Sequence, residues 1–257
     1  MSEKLIKDIC STLSSIGLPV CTVELASWAV ANKIDSATME NLYSLLKFAD
    51  DKRASDKAED LRRKSRLPDD YTKTFDSFDV DRLVEKDQKY LSTLRALTFI
   101  PARKGVLIQG TGRTGKSHIL QAIGNESCNQ GYRTLYLTAS DLRRKISKAL
   151  EKGTEERLVN TLTNYACLII DALDKEHFDS RQSYVFYRLI DAQLTRLKPG
   201  SMVIATSKDL PLLADHFEEK DYFIATMDRI LEHFTCFVLQ GKPFNGKPKD
   251  VVMLKLI

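Results

Sequence analysis

The chain has 257 residues, 43% of them apolar and 29% charged, with a formal net charge of +4. Such a length supports one large or two modest domains, and the balance is that of a soluble globular protein. No apolar run approaches a membrane span, and the start Met1-Ser2-Glu3-Lys4-Leu5-Ile6-Lys7-Asp8 is too polar for a signal peptide.

Cys10, Cys21, Cys128, Cys167 and Cys236 are odd in number and lack C-x-x-C pairing, so they read as small core residues in a reducing cytoplasm. The four histidines make no metal spacing.

Residues 1 to about 66 read as wholly helical. Leu5, Ile6, Ile9, Leu13 and Ile16 repeat at helical spacing and stop near Gly17-Leu18-Pro19. A second segment carries Val23, Leu25, Trp28 and Ala29. A third follows the cap Asp35-Ser36 and shows Met39, Leu42, Tyr43, Leu46 and Ala49 on one face. It runs into a charged stretch with Lys52, Arg53, Lys57, Arg62, Arg63, Lys64 and Arg66. Leu67-Pro68-Asp69-Asp70 then breaks the pattern. The expected organisation is a helical domain over 1–66, a linker over 67–80, and a second domain over 81–257.

Beyond the linker, short apolar runs at Val106–Ile108, Thr134–Thr138, Cys167–Asp171, Met202–Thr206 and Cys236–Leu239 alternate with helical periodicity. Continuous apolar strands separated by helices predict an α/β fold with a parallel five-stranded sheet covered on both faces.

After the first strand, Gly110-Thr111-Gly112-Arg113-Thr114-Gly115-Lys116-Ser117 fills every position of the phosphate-loop pattern G-x-x-x-x-G-K-[ST]. The glycines let backbone N–H groups turn toward phosphate oxygens. Lys116 brings charge to the β- and γ-phosphates, Ser117 offers a hydroxyl to Mg²⁺, and the following helix directs its positive end at the anion. ATP and Mg²⁺ are the expected cofactors.

Asp171, ending the third strand, is the expected second ligand toward Mg²⁺. Thr206-Ser207 ends the fourth strand where a γ-phosphate sensor belongs. Arg229 precedes the fifth strand. There it either stabilises the transferring phosphoryl of a neighbouring subunit or makes an ordinary surface salt bridge.

The series resembles the IstB-like helper ATPases of insertion-sequence transposition and, behind them, the DnaC-type helicase loaders, both AAA+ proteins. Thr74-Phe75-Asp76-Ser77-Phe78-Asp79 looks like that family's entry to the ATPase core. Gly131-Tyr132-Arg133 through Thr138-Ala139-Ser140-Asp141-Leu142 is similar to its G-Y-[RK]…T-A-x-D-L. Met227-Asp228-Arg229-Ile230-Leu231-Glu232-His233 resembles the box that carries its trans-acting arginine. The resemblance implies an AAA+ fold with ATP at subunit interfaces. Lys116, Ser117 and Asp171 would come from one chain and Arg229 from the next. It further implies ATP-dependent oligomers, DNA as a ligand, and a transposase or a replicative helicase as partner.

Three positions depart from the family. Ala172 stands where an acid orients the attacking water, so hydrolysis is expected to be slow or absent. Asp174 replaces that acid only if the strand stays extended to the same parity. Lys208 takes the last place of a polar T-S-N, where it either donates to the γ-phosphate or faces solvent. The ending Gly241-Lys242-Pro243-Phe244-Asn245 lacks the C-terminal sensor arginine, leaving Lys242 or Lys247 as replacements.

Arg143, Arg144, Lys145 and Lys148, with Lys152, follow the second strand on one helix and are the expected contacts to the phosphate backbone of DNA. The Lys52–Arg66 stretch is the weaker candidate, being interleaved with Asp50, Asp51, Asp56, Glu59 and Asp60. The reading at this point is an ATP-dependent DNA-binding protein that serves a transposase. A helicase loader and a nucleotide-binding scaffold without hydrolysis are its rivals, and no membrane contact is expected.

Overall fold

The computed structural model of this chain describes residues 2–68, 72–83, 85–195 and 200–239. The chain divides into two compact units, Met1–Asp60 and Leu61–Ile257.

The first unit is helical, as expected. Helix α1 (Glu3–Ser15) ends where Gly17 takes φ +88°, a conformation that side chains disfavour. Helix α2 is Thr22–Ala31. Helix α3 (Ser36–Lys64) starts with the Asp35 carboxylate accepting the Thr38 N–H at 2.7 Å. Ile6, Ile9, Cys10, Leu25, Ala29 and Met39 form its core. Only part of each expected apolar face is inside: Val23, Trp28 and Ala49 are exposed.

The units meet within α3 rather than over 67–80. Helical periodicity has no break at Asp60, and Leu61 and Phe75 pack against the second unit's core, in which Leu67 and Phe78 are buried.

In the second unit, all five expected strands form: β1 (Gly105–Gly110), β2 (Thr134–Thr138), β3 (Cys167–Asp171), β4 (Ser201–Thr206) and β5 (Phe234–Leu239). They make one parallel sheet in the order β2-β3-β4-β1-β5. Alternate residues feed two cores. Leu107, Leu168, Ile170 and Ile204 face one side, beneath α6 (Ala139–Lys152), α7 (Glu155–Thr163), α8 (Ser180–Thr195) and α10 (Lys220–His233). Ile108, Ile169, Val203 and Ala205 face the other, with residues of α4 (Glu85–Arg95) and α5 (Lys116–Asn129). The short helix α9 (Leu210–Leu213) lies between β4 and α10 in the chain. Because β4 separates β1 from β3, the C-terminal ends of these three strands converge on one spot.

Cys10, Cys128 and Cys167 are buried, but Cys21 and Cys236 are exposed, so the expectation of core cysteines fails for those two. Cys21 precedes α2, and Cys236 lies on β5, one of the sheet's two edge strands.

Candidate nucleotide-binding site

The phosphate loop joins β1 to α5. Gly115 takes φ +92°, and a Cβ there would approach the Phe78 ring to 2.6 Å, so glycine is required on both counts. Thr114 Oγ1 donates to the Thr111 carbonyl at 2.9 Å and braces the turn. Lys116 Nζ donates to the carbonyls of Gly110 and Thr111, each at 2.7 Å. Burial pushes its pKa down, and the charges of Asp174 and then Asp171 oppose that shift.

A cleft of about 620 Å³ opens in front of the loop. Gly112, Arg113, Gly115, Lys116 and Ser117 form its floor; Asp171, Ala172 and Ser207 form one side. Lys73, Ser77, Phe78 and Asp79 form a further wall, which reasoning from sequence did not assign. That wall is tied down: His118 Nε2 lies 2.8 Å from the Thr74 carbonyl, and Arg95 forks onto Asp76 at 2.6 and 3.0 Å. Gly110, Thr111 and Thr114 are not among the residues that line the cleft.

At the end of β3, Asp171 Oδ2 accepts the Tyr136 hydroxyl at 2.5 Å. Burial, then the Asp171 charge, push the Tyr136 hydroxyl well above its ordinary pKa, which keeps it a donor.

The parity expectation for Asp174 fails. The strand ends at Asp171, Ala172 takes a left-handed φ of 55°, and a 3₁₀ turn spans Leu173–Lys175. That turn nevertheless buries Asp174, whose Oδ1 accepts the Ser207 N–H at 2.7 Å and the Ser207 hydroxyl at 3.4 Å. Burial pushes the Asp174 pKa up, but hydrogen bonds from Ser207 and from its own backbone prevail, and the net shift is downward. Asp174 is thus an anchored anion beside Lys116.

Thr206, expected to sense the γ-phosphate, turns its hydroxyl onto its own loop. It donates to the Lys208 carbonyl at 3.2 Å and accepts the Lys208 N–H at 3.1 Å. Its neighbour Ser207 is the residue lining the cleft. Lys208 follows neither expected course. Its Nζ lies 2.8 Å from His216 Nε2, whose Nδ1 in turn reaches the Glu176 carbonyl at 3.1 Å. Lys242 and Lys247 lie outside the described residues.

Arg229, on α10, pairs with Asp191 of α8 at 3.2 Å, and both side chains stay partly exposed. On α6, the Thr138 hydroxyl caps the helix by accepting the Asp141 N–H, and the cationic face is partly neutralised. Arg143 meets Glu176 at 2.8 Å and Arg144 meets Asp141 at 2.9 Å. The Arg144 pair, the more exposed of the two, contributes little to stability. Lys148 is exposed. Lys145 is half-buried, and its pKa falls through desolvation and then through the nearby charge of Arg66. Arg66 therefore joins the α6 cations, which two separate basic clusters in the sequence did not suggest. In the remaining N-terminal stretch, Lys52 pairs with Asp56, Arg53 donates to the Ser15 carbonyl, and Arg62 donates to Asn129.

No group of histidines, cysteines and carboxylates suited to a metal ion occurs among the described residues, and no described helix is long and apolar enough to cross a membrane.

Comparison with known proteins agrees with this geometry. The family model described as IstB-like ATP binding protein matches residues 16–250. The ATP-binding protein of insertion sequence IS5376 from Geobacillus stearothermophilus is 25% identical over 225 residues, covering 88% of this chain and 87% of that protein. Among solved structures, the replication initiator DnaA bound to AMPPCP and single-stranded DNA aligns with a TM-score of 0.56 and 21% identity. That alignment covers 69% of this chain but only 52% of the initiator, so this chain spans about half of it. The DnaC helicase loader aligns with a TM-score of 0.54 and 20% identity, over 67% of this chain and 100% of that one. The fold is that of the AAA+ domains, with a helical N-terminal unit ahead of it.

Proposed function

Because the chain belongs to the IstB-like ATP-binding protein family, we propose that it assembles on DNA in its ATP-bound state and delivers that DNA to a transposase. One observation carries the nucleotide part of this reading. Lys116, buried and partly desolvated, stands at the floor of a cleft beside the ends of β1, β3 and β4, where among the described residues its ammonium is hydrogen-bonded to two loop carbonyls. A triphosphate offers that ammonium stronger, charged acceptors.

The donor set suits Mg²⁺, a hard cation that prefers oxygen. The Ser117 hydroxyl and the Asp171 carboxylate line the same cleft, and Tyr136 occupies only one carboxylate oxygen. Mg²⁺ there would neutralise charge on the β- and γ-phosphates. The loop N–H groups and Lys116 would orient the phosphates, and Ser207, anchored by Asp174, lines the same cleft and would offer a further polar group. Ala172 presents only a methyl group, so water is poorly oriented and turnover is slow. That residue favours a second reading, a nucleotide-dependent scaffold that does not hydrolyse ATP.

Assembly follows from Arg229. In the single chain its guanidinium is held loosely by Asp191. In a head-to-tail assembly the γ-phosphate of the adjacent subunit is a stronger partner, which links nucleotide state to subunit contact. The cations of α6 would then track a DNA backbone without reading bases. The chain's likeness to an insertion-sequence protein over most of both lengths favours a transposase over a helicase as partner.

Sedimentation with a non-hydrolysable ATP analogue tests this. Wild type is expected to form large species, and Arg229→Ala far fewer, with the same loss in stimulating DNA joining by the transposase of the same element. Equal assembly by both proteins would leave Arg229 as a surface ion pair. Stimulated helicase loading without any effect on DNA joining would replace the transposase by the helicase.

A further inference from the structure

Tyr136 lies on β2, an edge strand of the sheet, and Asp171 closes the adjacent β3. The parallel register sets Tyr136 opposite Ile169 and Thr138 opposite Asp171, so both side chains emerge on the face covered by α5. There the Tyr136 hydroxyl donates to Asp171 Oδ2 at 2.5 Å, with both residues buried. The tyrosine is fixed from its other side as well, its backbone N–H donating to the Ser65 carbonyl at 2.7 Å. A buried hydroxyl is costly unless it is paired, and phenylalanine would fill the same space without that cost. The chain carries the hydroxyl where it touches one oxygen of the carboxylate that faces the cleft.

We propose that Tyr136 is a positioning residue for the divalent cation, holding Asp171 by Oδ2 so that Oδ1 is presented to the metal or its bound water. The proposal rests on the reading of the cleft as a Mg²⁺–nucleotide site. A carboxylate on a single Cβ–Cγ bond swings freely unless one oxygen is held, and a ligand's orientation is set by such outer hydrogen bonds.

The test is a Mg²⁺ titration of a fluorescent ATP analogue binding to the full chain, repeated in EDTA, with wild type, Tyr136→Phe and Asp171→Asn. Tyr136→Phe keeps the ring in the core, so its melting temperature in EDTA serves as the control for folding. Its half-saturating Mg²⁺ concentration is expected to rise about tenfold, with nucleotide affinity in EDTA unchanged. An unaltered Mg²⁺ requirement would overturn the proposal, and so would an equal loss of affinity with and without metal, which is the mark of a purely structural hydroxyl. Asp171→Asn separates the two levels. If it abolishes the Mg²⁺ response while Tyr136→Phe does not alter it, only the positioning role fails. If Asp171→Asn leaves the response intact, the metal site itself is misassigned and the proposal falls with it.

Discussion

Lys116→Ala is expected to weaken ATP binding at least about a hundredfold while the protein still folds. Each hydrogen bond to a charged group contributes ~1.5–3 kcal/mol, and ~1.4 kcal/mol is a factor of ten in affinity. Two such bonds to the β- and γ-phosphates account for the loss. The folded state tolerates the change for a reason visible in the loop. Lys116 is a desolvated cation that itself lines a partly open cleft, so water can enter the space its side chain leaves. Calorimetric titration with ATP measures the effect, and thermal melting without nucleotide checks the fold. Binding as tight as wild type would reduce the Gly110–Ser117 loop to an ordinary strand-to-helix turn.

Ala172→Glu is expected to raise ATP turnover by at least about tenfold, equivalent to ~1.4 kcal/mol of barrier. General-base assistance typically contributes ~10²–10⁴-fold, and a methyl group at this position supplies none. The backbone accepts the substitution, since Ala172 already holds the left-handed conformation and its side chain already faces the cleft. Asp174 is the necessary companion, because the 3₁₀ turn leaves it buried beside Lys116 with Oδ1 engaged by Ser207. Asp174→Asn keeps an acceptor for the Ser207 N–H and removes only the charge. Slow turnover in wild type and a gain in Ala172→Glu would match the account. Brisk wild-type turnover that disappears in Asp174→Asn would make Asp174 the carboxylate that serves the water. Brisk turnover surviving that change would contradict the account of the site.

How much was legible in the sequence follows the range of the interactions involved. The five strands and the phosphate loop are local signals: an apolar run such as Cys167–Asp171 must be buried on both faces, and Gly115 needs its positive φ in any context. Pairings between elements left no such trace. Tyr136 reaches Asp171 only through the β2–β3 register, and Ser207 reaches Asp174 only because β4 lies beside β3. The left-handed turn at Ala172 defeated a parity argument because one residue's φ is invisible to periodicity. Helical spacing also ran unbroken through Asp60, so the division between units could not be read from α3. The charges of Arg143 and Arg144 were legible, but not that Glu176 and Asp141 hold them.

The central claim, that the ATP-bound state assembles on DNA through α6, is tested most directly by duplex binding at several salt concentrations, with a non-hydrolysable ATP analogue, with ADP and without nucleotide. The account predicts tight binding only with the analogue, without sequence preference, and with affinity falling steeply as salt rises because counterions are released. Replacing Arg144 and Lys148 together by glutamate should weaken that binding on all sequences and flatten its salt dependence. Binding that ignores the nucleotide, or a salt slope unchanged in the doubly substituted protein, would contradict it.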